Sequence, residues 1–204
     1  KLILFNYKSL IGLQNLMFFK KYKFLLIFLF LFPTLTYANT SIETPIKFLV
    51  NALNEIKHPK ALAVASELIE NTQEENTYNL IIRKSELDVY DIKRIADAIS
   101  EIKKWNGPDL ITLSMSFNEN IKDDGLKLIL DAVPYTIKVL ACVECGLTDN
   151  AALEIIDYAY KNRNINEIYL EGNFFSESIQ KKFNKLRFKK PNLTIISQWP
   201  SQDF

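Results

Sequence analysis

The chain has few of the residues from which catalytic or metal sites are usually built. Of its 204 residues one is histidine and two are cysteine. A tetrahedral zinc site needs four ligands, and His58 stands far in sequence from Cys142 and Cys145. One imidazole and no further cysteine also leave little for a conventional His-dependent triad. The chain is therefore expected to be no enzyme, and no cofactor is expected. Acidic residues are missing from residues 1–38, which carry five lysines. Without that stretch, 166 residues hold 20 basic and 24 acidic side chains, a net charge of −4. Such mild acidity argues against nucleic acid as a partner. The length suits one domain with a real core.

Met17 is followed by Phe18, Phe19, Lys20, Lys21, Tyr22 and Lys23, and then by nine apolar residues from Phe24 to Phe32. With Pro33 as a breaker and the small-residue site Thr36-Tyr37-Ala38, this predicts a secretory signal peptide starting at Met17 and cleaved after Ala38. A bilayer-spanning helix needs about 20 apolar residues, so the run is short. An uncleaved anchor is the alternative, since Leu35 and Tyr37 lengthen it. No cysteine lies near the cleavage site, which disfavours a lipoprotein. The expectation is an exported protein, periplasmic or secreted. Lysine outnumbers arginine 21 to 4, and Ile, Asn and Phe are abundant. That usage suggests an AT-rich genome and, with the signal segment, a bacterial source.

After the cleavage site, Pro45 marks a helix start, and Ile46, Leu49, Val50, Leu53 and Ile56 follow at helical spacing. Pro59 breaks the run and a second helix is predicted from Lys60 to Glu70. Residues 39–76 are read as an N-terminal helical cap ending in the polar linker Asn71 to Asn76, because the end of a stacked array must be covered.

Residues 77–204 carry a pattern written three times: Leu110, Leu113, Met115, Asn118; Ile137, Leu140, Cys142, Cys145; Ile165, Ile168, Leu170, Asn173. Leu113 to Leu140 spans 27 positions, Leu140 to Ile168 spans 28, and Ile168 to Ile196 spans 28. A weaker copy, Leu80, Ile82 and Ser85, lies 33 positions upstream, with Trp105 to Pro108 as the insertion. Five strands are predicted, the last from Leu193 to Gln198. Helices are predicted over Asp88 to Ile102, Asp123 to Val133, Thr148 to Tyr160 and Ser176 to Phe188. In the third, Thr148 is the expected N-cap, and Leu153, Ile156 and Tyr160 form the stripe expected to face the strands. Each unit alone cannot bury its apolar face, so neighbours must stack. Strand alternation turns Leu140 and Cys142 inward and exposes Ala141 and Val143. Asn118, Cys145 and Asn173 mark where the chain leaves the strand, and a buried Asn there can satisfy stranded backbone groups.

These offsets match L-x-x-L-x-L-x-x-N/C, and the run Cys145-Gly146-Leu147-Thr148-Asp149-Asn150-Ala151-Ala152-Leu153 is similar to C-G-L-T-D-x-G-A-x-x-L. From about Leu80 to Ile196 the chain resembles leucine-rich repeat proteins of the ribonuclease-inhibitor-like subtype, departing from the motif's usual glycine around Asn150 and Ala151. The resemblance implies an α/β solenoid, a short horseshoe with parallel strands on the concave face, helices on the convex face, and protein ligands held by the concave face and its loops. The same subtype occurs in GTPase activators of the Ran type, so an enzyme regulator stays an alternative.

Cys142 and Cys145 form a C-x-x-C. A strand position pointing inward favours a core role over a redox pair, which wants its first thiol at a helix N-terminus; a disulfide formed after export stays open. Aligned repeats place Ile81 and Arg83, Ser114 and Ser116, Ala141 and Val143, and Tyr169 and Glu171 in successive rows of the concave face, flanked by Phe117, Glu144 and Glu167. Arg83, Phe117, Val143, Glu144, Glu167, Tyr169 and Glu171 are the candidate protein-binding residues. Tyr169 with the three glutamates suits a basic segment. Five strands about 4.8 Å apart give a face of roughly 24 by 12 Å, which a partner must supplement with loops unless it is a peptide. Membrane contact is open to two segments, the N-terminal run if it is not cleaved, and the helix carrying Lys181, Lys182, Lys185, Arg187, Lys189 and Lys190, whose plainer reading is a solvated convex face.

Overall fold

The computed structural model describes residues 44–71 and 76–199. The expected signal segment lies outside the described residues, as do part of the linker and the end of the chain. Among the described residues there are six helices and five strands: α1 (Lys47–Ile56), α2 (Pro59–Asn71), β1 (Thr77–Ile81), α3 (Val89–Lys104), β2 (Asp109–Ser114), α4 (Lys122–Ala132), β3 (Val139–Ala141), α5 (Asp149–Lys161), β4 (Glu167–Tyr169), α6 (Glu177–Lys189) and β5 (Thr194–Ile196). The class is α/β, and the strands form one parallel sheet in the order β1-β2-β3-β4-β5. Parallel neighbours need a crossover, and here each crossover holds one helix.

The strand periodicity is what builds the core. Leu80, Leu113, Leu140 and Ile168 stand in register across four strands. All four are fully buried in one cluster with Ile95 and Ile99 of α3, Ile129 of α4, Ile155 of α5 and Phe183 of α6. Burying one such side chain contributes about 1.5–3 kcal/mol. Helices α1 and α2 add Leu49, Leu53, Ala61 and Leu68 to the same cluster and pack on α3 and β1. Pro59 opens α2 at its first position, where a missing N–H costs nothing.

The fifth strand is set one residue differently from the expected spacing. Ile168 pairs with Ile195, and Ile196 pairs with Tyr169. Ile195 is buried and Ile196 half-buried. Two adjacent isoleucines satisfy either register by pattern, and a one-residue slip exchanges the two faces. The core contacts of Leu193 and Ile195 decide it.

Helix α5 is also rotated from expectation. Its buried residues are Ala151, Ala152, Ile155, Tyr158 and Ala159, whereas Leu153 is 44% and Tyr160 42% exposed. With α4 on one side and α6 on the other, close approach to the core favours the alanine-rich face. The Tyr160 ring instead lies at the surface, 5.6 Å from the Lys189 ammonium. Thr148 does stand at the N-cap, but its side chain makes no bond to its own helix. Its N–H donates to Asp123 Oδ1 at 2.8 Å and its hydroxyl to Asp123 Oδ2. Ser176 N–H likewise donates to Asp149 Oδ1 at 2.8 Å. A carboxylate in the first turn of one helix thus holds the residue that starts the next.

Where the chain leaves each strand, asparagine closes the accounts. Asn118 Oδ1 accepts from Ser85 N–H at 2.8 Å and Leu87 N–H at 3.3 Å, and its amide donates to Ile82 O at 3.0 Å and Met115 O at 2.7 Å. Asn173 repeats the arrangement one unit on from Cys145. It accepts from Cys145 and Leu147 N–H, both at 3.0 Å, and donates to Cys142 O at 2.7 Å and Leu170 O at 2.9 Å. Cys145 stands in the intervening unit, and its thiol reaches Met115 O at 3.3 Å.

Two changes test this account. Asn118→Ala should strand buried backbone groups and lower unfolding stability by about 3 kcal/mol, read as a fall in the urea midpoint with unchanged m-value. Leu140→Asp should place an unpaired charge in the shared core and abolish the cooperative transition; a variant as stable as its parent would mean that Leu140 does not face the core.

Candidate interaction face

The backbone ladder continues past the strand ends, and this positions the candidate residues. Lys84 N–H donates to Ser116 O at 3.1 Å, Phe117 N–H to Val143 O at 2.7 Å, and Glu144 N–H to Glu171 O at 2.9 Å. Following that pairing, Arg83, Ser116, Val143 and Glu171 form one row. Ile81, Ser114, Ala141 and Tyr169 form a second. Both rows alternate with the core residues Leu80 and Ile82, so they belong to the sheet face turned away from the core.

The expected residues separate into two clusters of opposite charge. Near β1 and β2, the Arg83 guanidinium and the Lys84 ammonium each lie 5.0 Å from the centre of the Phe117 ring, a geometry that attracts cations to a ring face. Near β4, the Tyr169 hydroxyl donates to Glu167 Oε2 at 2.6 Å. That bond to a carboxylate raises the phenol above its ordinary range, with burial and the Glu171 charge adding smaller pushes in the same direction. Glu171 is half-buried, and its Oε2 is a buried acceptor with no donor.

Between the clusters the face is low. Ser114, Ser116 and Val143 are buried, Val143 being only 8% exposed, and Ala141 is half-buried. Val143 is therefore corrected from an exposed contact residue to part of the floor. Its side chain sits in a row between Ser116 and Glu171, and its N–H donates to Ser116 Oγ at 3.2 Å. A partner on this face would reach the flanking charges before it reached Val143.

Sequence reasoning named Phe117 and Glu144 but missed Lys84, Gly172 and the backbone that all four share just before the Ser, Asn or Cys at the strand exit. Lys84, Phe117, Glu144 and Gly172 all have left-handed φ, at 53°, 64°, 49° and 73°. A Cβ on Gly172 would come within 2.5 Å of Glu144 Cγ, so a larger residue there would have to displace the Glu144 side chain as well as hold a left-handed φ. The glutamate and the Trp199 indole close over that backbone. Alongside, a cleft of about 420 Å³ is lined by Glu119, Asn120, Lys122, Glu144, Gly146, Gly172 and Phe174. The signal was legible as Gly172-Asn173, a glycine next to a strand-exit asparagine. The other three members are larger residues that rarely adopt positive φ, so nothing local announced that conformation.

No protein-family model matches this chain, and no curated protein matches it.

Chemistry elsewhere is sparse. Cys142 and Cys145 are free thiols and fully buried. The neighbouring Cys145 thiol and burial hold the Cys142 thiol well above its usual range, so a thiolate nucleophile is disfavoured. Among the described residues no three His, Cys, Asp or Glu side chains gather to hold a metal ion, and no helix is long and apolar enough to cross a membrane. The basic helix α6 spends part of its charge internally. Lys181 pairs with Glu177 at 2.8 Å, Lys190 Nζ donates to Ala159 O and to Asn162 O, and Arg187 Nη1 donates to Asn184 Oδ1 at 2.6 Å.

The Tyr169–Glu167 contact can be read directly. Glu167→Gln should lower the alkaline titration of the Tyr169 phenol, because the carboxylate favours the protonated hydroxyl and an amide does so less. The check is the tyrosinate absorbance change against pH, with Tyr169→Phe identifying the component.

Proposed function

We propose that this chain is an exported, non-catalytic binding protein of the leucine-rich repeat class, ribonuclease-inhibitor-like. In this reading residues 77–204 form a short horseshoe solenoid with parallel strands on its concave face and helices on its convex face. Helices α1 and α2 are its N-terminal cap. The function is to hold another protein or a peptide on the concave face and adjoining loops, in the cell envelope or in a host.

One observation carries the binding reading. Among the described residues every ion pair joins side chains on helices, including Lys93–Asp97, Lys104–Glu101, Lys127–Glu154 and Lys161–Asp157. Arg83, Lys84, Glu144, Glu167 and Glu171 on the sheet side belong to none of these pairs. Charges outside these pairs, cations at one end of the face and carboxylates at the other, are suited to steering and orienting a partner. The repeated strand–helix unit and the Asn118 and Asn173 bonds support the repeat-family reading. A second reading, contact with an anionic membrane surface, draws support from Phe188, 88% exposed on α6, where Lys182 and Lys185 are also exposed.

The test is affinity capture from envelope and host extracts with the full chain, beside the Tyr169→Ala, Glu171→Ala variant. Both changes are on the surface side and should leave the thermal transition within about 0.5 kcal/mol of the parent. A protein held by the parent and lost by the variant supports the concave-face reading. Equal retention by both moves the binding surface to α6.

A further inference from the structure

Resting on that reading, we infer that the occupant of this face is an extended peptide segment, lying across the strands, that carries one carboxylate and one cationic side chain about four residues apart. The two clusters set its chemistry. Arg83 is held against the Phe117 ring with Lys84 on the same ring. A guanidinium fixed in this way is prepared to receive a carboxylate through two parallel hydrogen bonds. At the other cluster, Glu171 Oε2 is buried without a donor, and Glu144 and Glu167 add negative charge beside it. A lysine or arginine of the partner supplies the charge that complements these three carboxylates.

The spacing follows from the sheet. Arg83 and Glu171 stand in the same row two residues past the ends of β1 and β4, three strand intervals apart, or about 14 Å at about 4.8 Å per interval. An extended chain advances about 3.3 Å per residue, which places the partner's two charges about four residues apart. A helix, advancing 1.5 Å per residue, would need about nine. Ser114, Ser116, Ala141 and Val143 between the two clusters carry no charge, so the partner's charges are read at the ends. A face of roughly 24 by 12 Å matches a peptide better than a globular surface, which buries about 800 Å² on each side.

The experiment is binding of the full chain to a synthetic library of Gly/Ser peptides. Each peptide carries two charged residues, Glu with Arg in either order, two Arg, or two Glu, separated by one to about ten positions. The parent should prefer mixed pairs at a separation of about four. The Arg83→Glu, Lys84→Glu variant should bind those peptides about tenfold more weakly and prefer two Arg at the same separation. Circular dichroism confirms that the variant is folded, and a mere loss of structure would not move preference from mixed to doubly basic peptides. Binding indifferent to separation, a maximum near nine, an unchanged preference in the variant, or no peptide bound overturns the inference. If it is overturned while a protein is still captured from extracts in a Tyr169- and Glu171-dependent way, the proposed function stands and its partner is a folded surface. If both fail, the concave-face reading falls with it.

Discussion

The structure depends on satisfying the backbone where each strand ends. A parallel sheet with one helix per crossover must turn its chain out of the ladder at the same level in every unit, which leaves buried N–H and C=O groups with no strand partner. Asn118 and Asn173 supply both a donor and an acceptor at that level, and each reaches back to the preceding unit as well as to its own. Because most of these bonds cross between units, they hold the stacking as well as the turn. Cys145 in the intervening unit has a weaker donor and makes a correspondingly smaller set. The carboxylates of Asp123 and Asp149 do the same between the starts of successive helices.

With stacking handled by these polar contacts and by the inward row of leucine and isoleucine, the outer sheet face is freed from structural duty. Part of the charge of the helical layer is paired at short range, between residues three or four apart and through Lys127 to Glu154 between helices. The sheet side joins none of these pairs. Its arginine, lysine and glutamates are organised by aromatic rings instead, Phe117 for the cations and Tyr169 for Glu167. This division explains why the candidate site is electrostatic rather than apolar.

Much of the architecture was legible because period and face are local properties. The recurrence of Leu113, Leu140 and Ile168 announced a core row, and the gaps between them had the length of one helix. Arg83, Tyr169 and Glu171 were legible as face residues by alternation, and Phe117, Glu144 and Glu167 as flanks by their place beside those rows. Val143 was not, since its exposure depends on the bulk of the residues beside it in neighbouring units. Ile195 and Ile196 were ambiguous for a related reason, as two adjacent apolar residues carry no parity. The stripe on α5 was misread because its size pattern favoured Leu153 and Tyr160, while the space between two flanking helices admitted alanine.

The sequence by itself determined the strand–helix alternation, the parallel order it requires, and the chemistry available, which is rich in carboxylates and amines and nearly free of imidazole and thiol. Tertiary structure alone decided which charges stay outside the ion pairs. Ion pairing is settled by distances between units, and a one-dimensional pattern does not hold those distances. Arg83 and Glu171 are 88 positions apart in the chain and three strands apart in the sheet, and only the second separation governs what can bind across them.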